Sequence, residues 1–432
     1  MDGTVVSVAW GTLAVLATVL ALGACRSAAP SMDAGGSASA GAARWWKGNT
    51  HTHSYWSDGN DYPEMIADWY KRHGYHFVAT TDHNPPPAER WVTIPAAGAN
   101  RDLYDAYRAR FGASWVEERR SGDTLRVRAR RLDEYRGLLE EAGRFLLVPG
   151  EEITQYLGGK GAHMNGINLA EPIAPQEGAT LVEILQRDLN VIRAQRERTG
   201  HPMIGVLNHP NFLWSQTAED LLALADLRFF ELYNGHPLVN NQGDSLHAGT
   251  ERIWDIVLTG RFARGGGPLY GVATDDAHDY LRVATEQRNP GRGWIMVRAP
   301  ELSAGALIAA LERGDFYAST GVTLARLERA GRTLNVDVEA EQGVAYTIQF
   351  VGTRSGYDTA STPVHDSAGT ALTGRYSPDI GAILAEVRGP RATYTMRGDE
   401  LYVRARVVSS KPAANPSYPG EVQMACTQPA RP

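Results

Sequence analysis

Twelve histidines but only two cysteines, Cys25 and Cys426, are spread over the 432 residues of this chain, so any metal it holds must be bound by imidazoles and carboxylates, not a thiolate cluster. The placement of these groups is uneven. His51 and His53 stand two apart after WWKGNT, and Asp276 and His278 stand two apart after YGVAT and Asp275. In extended backbone, residues two apart point to the same side, so each pair can offer two ligand atoms to one ion. Asp82 and His83 follow FVAT, Glu151 and Glu152 follow FLLVPG, and His209 follows IGVLN. Five short β-rich runs therefore end in groups able to bind a metal, with His163 in GAHMNGINL and Asp58 in SYWSDG expected to join them from nearby loops. A lone histidine is more often a hydrogen-bonded core or surface residue, but two such pairs plus carboxylates after other strands are hard to produce by core packing.

The elements that must position these groups alternate between short β-rich runs and helical patterns over about residues 45–320, which predicts parallel strands with helical crossovers. Strands are expected at Phe77–Thr80, Phe145–Val148, Ile204–Leu207, Phe229–Tyr233, Tyr270–Ala273 and Trp294–Val297. Helices are expected near 63–73, 181–192, 217–225, 250–259 and 303–312. Pro63 suits a first helical turn, Thr180 with Glu183 forms a capping pair, and Gly74 and Gly200 end helices. In a barrel of parallel strands, side chains at the C-terminal rim converge however far apart they lie in sequence. A long insert at about 85–143 carries an aromatic helical stretch (Leu103, Tyr104, Tyr107, Phe111) and the basic run RVRARR at 126–131, expected to be a solvated strand–helix junction. After Gly321 the helical patterns stop and alternating runs predict a small antiparallel β-sandwich over 321–432.

The segments HTHSYWSDG, TTDHN, PGEEIT, HMNGINL, NHPN and DDAH, in this order, resemble the PHP (polymerase and histidinol phosphatase) superfamily of metal-dependent hydrolases. The flanking FELYNGHP and GDFYASTGV look like its CehA/McbA-like, carbaryl-hydrolase-like branch. The resemblance implies an α/β fold, a distorted (β/α)7, TIM-like barrel. It also implies metal ligands at His51, His53, Asp58, His83, Glu152, His163, His209, Asp276 and His278, with Glu152 as the bridging carboxylate and two or three divalent zinc, manganese or iron ions as cofactors. Six imidazoles and three carboxylates exceed the needs of one ion. The reaction expected is hydrolysis of a phosphoester by hydroxide bridging the ions. The same hydroxide could open an ester, carbamate or amide, and a third reading is a non-catalytic ligand-binding protein. Asp275 and His236 are the candidate proton donors, Asn165 and Asn208 could orient ligand imidazoles, and His73, His76, His201, His247 and His365 have no constellation around them.

A hydrophobic content of 43%, 21% charged residues and a net charge of −6 fit a globular chain and provide no broad basic surface, so nucleic acid is not an expected partner. Val5 to Ala24 carries no charge and ends in Leu22-Gly23-Ala24-Cys25, which resembles a bacterial lipobox. The expectation is a lipoprotein signal peptide at 1–24, lipidation of Cys25, a flexible tether at 25–44, and a location in the cell envelope, anchored in the membrane outside the cytoplasm. A plain signal anchor is the other reading. The partner expected beyond the membrane is a small-molecule substrate.

Overall fold

The computed structural model describes residues 43–85 and 89–432; the signal-peptide, Cys25 and tether expectations lie outside these, except that Arg44 already begins the first strand. The first half of the described chain runs β1 (Arg44–Asn49), α1 (Pro63–Arg72) and β2 (Phe77–Thr80), then the insert. The insert comprises β3 (Arg90–Ile94), α2 (Ala99–Phe111), β4 (Glu118–Ser121), β5 (Thr124–Ala129) and α3 (Leu132–Leu139). The site-bearing strands resume with β6 (Leu146–Leu157), β7 (Lys160–Ile167), α4 (Leu181–Thr199), β8 (Ile204–Leu207), α5 (Ala218–Ala223), β9 (Phe229–Asn234), α6 (Thr250–Phe262) and β10 (Tyr270–Thr274).

Six of these strands, β1, β2, β6, β8, β9 and β10, run the same way, because β1–β2, β2–β6, β8–β9 and β9–β10 pair in parallel and β7 reverses twice between β6 and β8. This corrects the expectation of helical crossovers throughout. The β6–β7 connection is a tight turn at Gly158 and Gly159, both in left-handed backbone, and it makes His163 a strand residue and not a loop residue. The strands are nearly continuous apolar runs, as expected when both faces are covered, and they bury Phe77, Val148, Val206, Phe229 and Val272 on one side of the sheet.

The sheet does not close into a ring of named strands; it runs on from β1 to β11 (Trp294–Ala299) and, after α7 (Ala304–Arg313), to β12 (Phe316–Ser319). Beyond their ends, however, the segments after β1 and β10 are joined by a parallel bridge, Thr52 to Ala277. His53 N donates to Ala277 O at 2.9 Å and Asp276 N donates to His51 O at 3.2 Å. Gly293 permits the close approach of β11 to β10 because a Cβ there would stand 2.6 Å from Thr274 O.

The rest of the chain is β13 (Leu324–Ala330), β14 (Thr333–Val338), β15 (Tyr346–Arg354), β16 (Ser361–His365), β17 (Ala371–Tyr376), β18 (Ala382–Arg388), β19 (Arg391–Thr395), β20 (Glu400–Pro412) and β21 (Val422–Thr427). These are antiparallel. The order β12-β21-β20-β15-β18 extends the main sheet, and β13-β14-β19 packs across it over Leu334, Val336, Ile348, Phe350, Val403 and Val407. The tail is thus two facing layers that share a sheet with the residues before Gly321. Among the described residues no helix is long and apolar enough to cross a membrane.

Candidate metal centre

The segment after β1 sets the first two imidazoles. Asn49 Oδ1 accepts from His51 N at 2.9 Å, and Asp82, beyond β2, accepts from Ser54 N, Ser54 Oγ and Ser57 Oγ, each at 2.7 Å. Asp82 therefore braces the loop that leads to Asp58 and does not face the imidazoles. Gly59 belongs to the same device, since a Cβ there would lie 2.3 Å from His53 O.

His51 and His53 are fully buried, with their Nε2 atoms 3.0 Å apart. Glu152 Oε2 lies 3.2 Å from His51 Nε2 and 3.3 Å from His53 Nε2; Asp276 Oδ1 lies 3.3 and 3.1 Å from the same two atoms. Four ligand atoms 2.0–2.1 Å from a tetrahedral ion would be spaced by roughly 3.3 Å. The proton of His51 sits on Nδ1, because its partner there, Glu231 Oε1 at 2.7 Å, can only accept. His51 Nε2 thus turns a lone pair toward two carboxylate oxygens and a second imidazole. Such a convergence of acceptors requires an extra proton or a cation.

The remaining candidates surround this cluster. Glu152 Oε1 lies 2.9 Å from His163 Nδ1 and 3.3 Å from His209 Nε2, while Oε2 lies 2.9 Å from His83 Nδ1, so the two oxygens of one carboxylate face different imidazoles. Asp58 Oδ1 approaches His278 Nε2 at 3.2 Å and His83 Nε2 at 3.7 Å. All nine residues fall into four overlapping sets whose ligand atoms lie within 4.8 Å of one another: His53–Asp58–His83–His278, His51–Glu152–His209, His51–His53–Asp276 and His83–Glu152–His163.

The charge balance fits a cation. Glu152 and Asp276 are buried and meet only imidazoles and the amides of Asn208 (2.8 Å) and Asn234 (3.1 Å) among the described residues. Burial would raise both pKa values, but the surrounding histidines hold both well below the carboxylate range. The imidazoles are pulled apart instead. Burial lowers His53 and His163, whereas the facing carboxylates outweigh burial at His51, at His209, and at His83, which is raised to about 9. His163 turns Nδ1 toward Glu152, while its Nε2, on the opposite edge of the ring beside Gly161, is buried with no hydrogen-bond partner among the described residues. The donor set of imidazole nitrogens and carboxylate oxygens suits zinc, manganese or iron.

Of the two candidate proton donors, Asp275 takes another role and His236 stands beside the cluster. Asp275 accepts from Tyr70 Oη (2.7 Å) and from the backbone N–H groups of Gly291 (2.8 Å), Arg292 (2.7 Å) and Gly293 (2.8 Å), which fill its lone pairs and pin the 291–293 segment. His236 does reach the cluster, its ring centre 5.7 Å from that of His278. Its Nδ1 accepts from Leu238 N at 3.1 Å, leaving the proton on Nε2, and burial lowers its pKa to about 4. Asn165 and Asn208 hold a carboxylate and not an imidazole: Asn208 Nδ2 donates to both Glu152 Oε1 and Asn165 Oδ1.

Sequence reasoning missed Glu231. This buried carboxylate accepts from His51 Nδ1, Thr274 Oγ1, His209 N and Asn234 Nδ2 at 2.7–2.8 Å, fixing two ligand histidines at once. Its signal was a lone charge inside the apolar run FFELYN. Elsewhere, His73 stacks on Trp69, His76 accepts from Lys47 N, and His247 stacks on Trp214.

No protein-family model and no curated protein matches this chain. Among solved structures, the chain is similar to a two-domain protein from Bacteroides vulgatus described as containing a predicted PHP-like metal-dependent phosphoesterase. Identity is 16%, 89% of this chain and 95% of that one are covered, and the TM-score is 0.39. It is also similar to a putative metal-dependent phosphoesterase from Bifidobacterium adolescentis (16% identity, 54% and 87% covered, TM-score 0.26). An amidohydrolase from Chromobacterium violaceum, solved with sulfate and no metal, is similar as well (15%, 54% and 87%, TM-score 0.25).

Proposed function

We propose that this chain is a metal-dependent hydrolase of the PHP type, that its natural bond is a phosphoester, and that its rim strands form the distorted seven-stranded barrel of that superfamily. The observation that carries the reading is the convergence of nine imidazole and carboxylate groups in four overlapping sets, brought from the segments after β1, β2, β8 and β10 and from within β6 and β7, with acceptors facing acceptors. Divalent ions held there would supply Lewis acidity and a water acidic enough to react near neutral pH. The residues of the chain do the rest. Glu152 spans the ligand groups, Glu231 orients the His51 imidazole, Asn208 with Asn165 behind it holds the Glu152 carboxylate, and His236 offers its Nε2–H as a hydrogen-bond donor beside His278.

The same groups would serve a carbonyl centre, so an ester, carbamate or amide remains the second reading, in keeping with the likeness to the CehA/McbA-like branch. Metal analysis and a panel of aryl phosphate, phosphodiester, aryl ester and aryl carbamate separate these readings. Two to three ions per chain and turnover of a phosphoester are expected. Full metal loading with no turnover of any of the four overturns the hydrolase, and less than one ion per chain supports a binding protein. We propose in addition that Cys25 carries lipid and holds the enzyme at a membrane outside the cytoplasm; metabolic labelling with a fatty acid should mark the protein, and an unlabelled protein overturns it.

A further inference from the structure

Two aromatic side chains stand against the candidate ligands, and two exposed leucines lie beside one of them. The Tyr156 ring, 52% exposed at the β6–β7 turn, meets His163 edge-on at 5.1 Å between ring centres. Phe212 meets His209 at 5.3 Å, His236 at 5.9 Å and His163 at 6.4 Å. An antiparallel bridge from Phe212 to Val239 brings their neighbours Leu213 and Leu238 alongside, 49% and 65% exposed.

Scattered exposed leucines are ordinary, but a connected apolar patch bordering a polar centre is the usual build of a small-molecule site. The backbone reinforces it. Leu213 and Trp214 are both left-handed, with φ of 53° and 50°, a conformation that side chains with a Cβ adopt at a cost. Trp214 is held by its stack on His247, ring centres 4.1 Å apart, while Leu213 is left facing solvent.

We infer that the Tyr156–Phe212–Leu213–Leu238 patch is the specificity surface of this site, and that the substrate is an ester whose non-reacting part is a large apolar group, aryl or long alkyl, and not a sugar or nucleoside. The inference rests on the hydrolase reading for the word ester, but the apolar surface itself does not. The occupant is fixed by continuity: a molecule with its reactive group among His163, His209 and His278 must lay its adjoining atoms on Tyr156 and Phe212.

The test uses straight-chain hydroxamic acids, from acetohydroxamic to octanohydroxamic acid, titrated calorimetrically into zinc-loaded protein, because a hydroxamate binds metal whichever ester the enzyme cleaves. Affinity should tighten about tenfold over four methylenes, less than the roughly fourfold per methylene of full burial because the patch is half open. The double variant Leu213→Asn, Leu238→Asn, in which Asn tolerates the left-handed backbone, should bring that ratio close to one. A flat wild-type series overturns the inference, as does a steep series that persists in the variant or a failure of every hydroxamate to bind. A steep series abolished in the variant, together with no turnover of any ester, overturns the hydrolase and leaves the apolar surface standing.

Discussion

Glu231 lies behind two of the candidate metal ligands, His51 and His209, and accepts a hydrogen bond from each. Its two oxygens take four donors, two of them from ligand histidines, so a glutamine in its place would set an N–H₂ group against N–H groups it cannot satisfy. Glu231→Gln should lower zinc affinity about 10- to 100-fold, read by competition with a chromophoric chelator. An unchanged affinity would remove Glu231 from the centre. Gly59 and Asp82 belong to the same class of residues, acting on the site only through the loop they shape.

At the scale of elements, the insert is tied into the body. Tyr107 Oη and Trp115 Nε1 both donate to Glu64 on α1, and Arg110 holds Asp68 of the same helix through two bonds of 2.8 and 3.0 Å. Tyr55 and Tyr62, from the segment between β1 and α1, are buried among Ile94, Tyr104, Tyr107 and Val127 of the insert. Deletion of 90–125 would leave Glu64 buried and unpaired beside exposed aromatics. The expected outcome is loss of soluble, cooperatively folding protein on expression and thermal melting; a deletion that folds and binds metal with altered substrate preference would make the insert a cover instead. The basic run is spent inside the insert, with Arg128 and Arg130 both paired to Glu117 and Glu134.

The strands and helices around the centre were readable because each carries a local signal: apolar runs, capping residues, a terminal glycine. The insert's three-stranded sheet and the β6–β7 hairpin were not. ERRS and KGAHMNGI lack apolar alternation, so neither reads as a strand although each pairs across a short hairpin, and the third strand of the insert's sheet joins through residues far apart in the chain, such as Arg90 with Ala129.

For the molecule as a whole, the tail acts as a brace. Arg404 on β20, 1% exposed, is paired with Asp255 and Glu251 of α6, and Gln428 exchanges hydrogen bonds with the backbone of Gly271 in β10. Global stability also carries a pH signature away from the centre. Asp188 on α4 is buried with both oxygens unpartnered and lies near Glu151; burial first, and that second carboxyl after it, push its pKa from 3.8 to about 8. The folded state therefore holds a proton that the unfolded state releases above about pH 4, so this contribution to stability is complete at low pH and is lost as pH rises toward 8. Asp188→Asn should gain on the wild type by about 1 kcal/mol per pH unit across that window, read from urea unfolding at pH 5 and pH 8. A constant difference between the two proteins would overturn the assignment.

The sequence by itself marked the candidate metal-binding groups after the strands, and the two-residue period of extended backbone does bring His51 and His53 into one set; Asp276, however, is in left-handed backbone at φ 50° and falls in a different set from His278. The sequence also determined that thiolates take no part, and it placed most strands and helices by local propensity. Only the tertiary structure decided that the nine groups lie within reach of one another, that His163 comes from a reversed strand, that Asp275 is fully engaged with a loop, and that Glu231 lies behind His51. Each of these is a contact between residues far apart in the chain, and local signals do not encode such distances. They arise when the segments beyond β1 and β10 meet at the rim and bring the strand ends together.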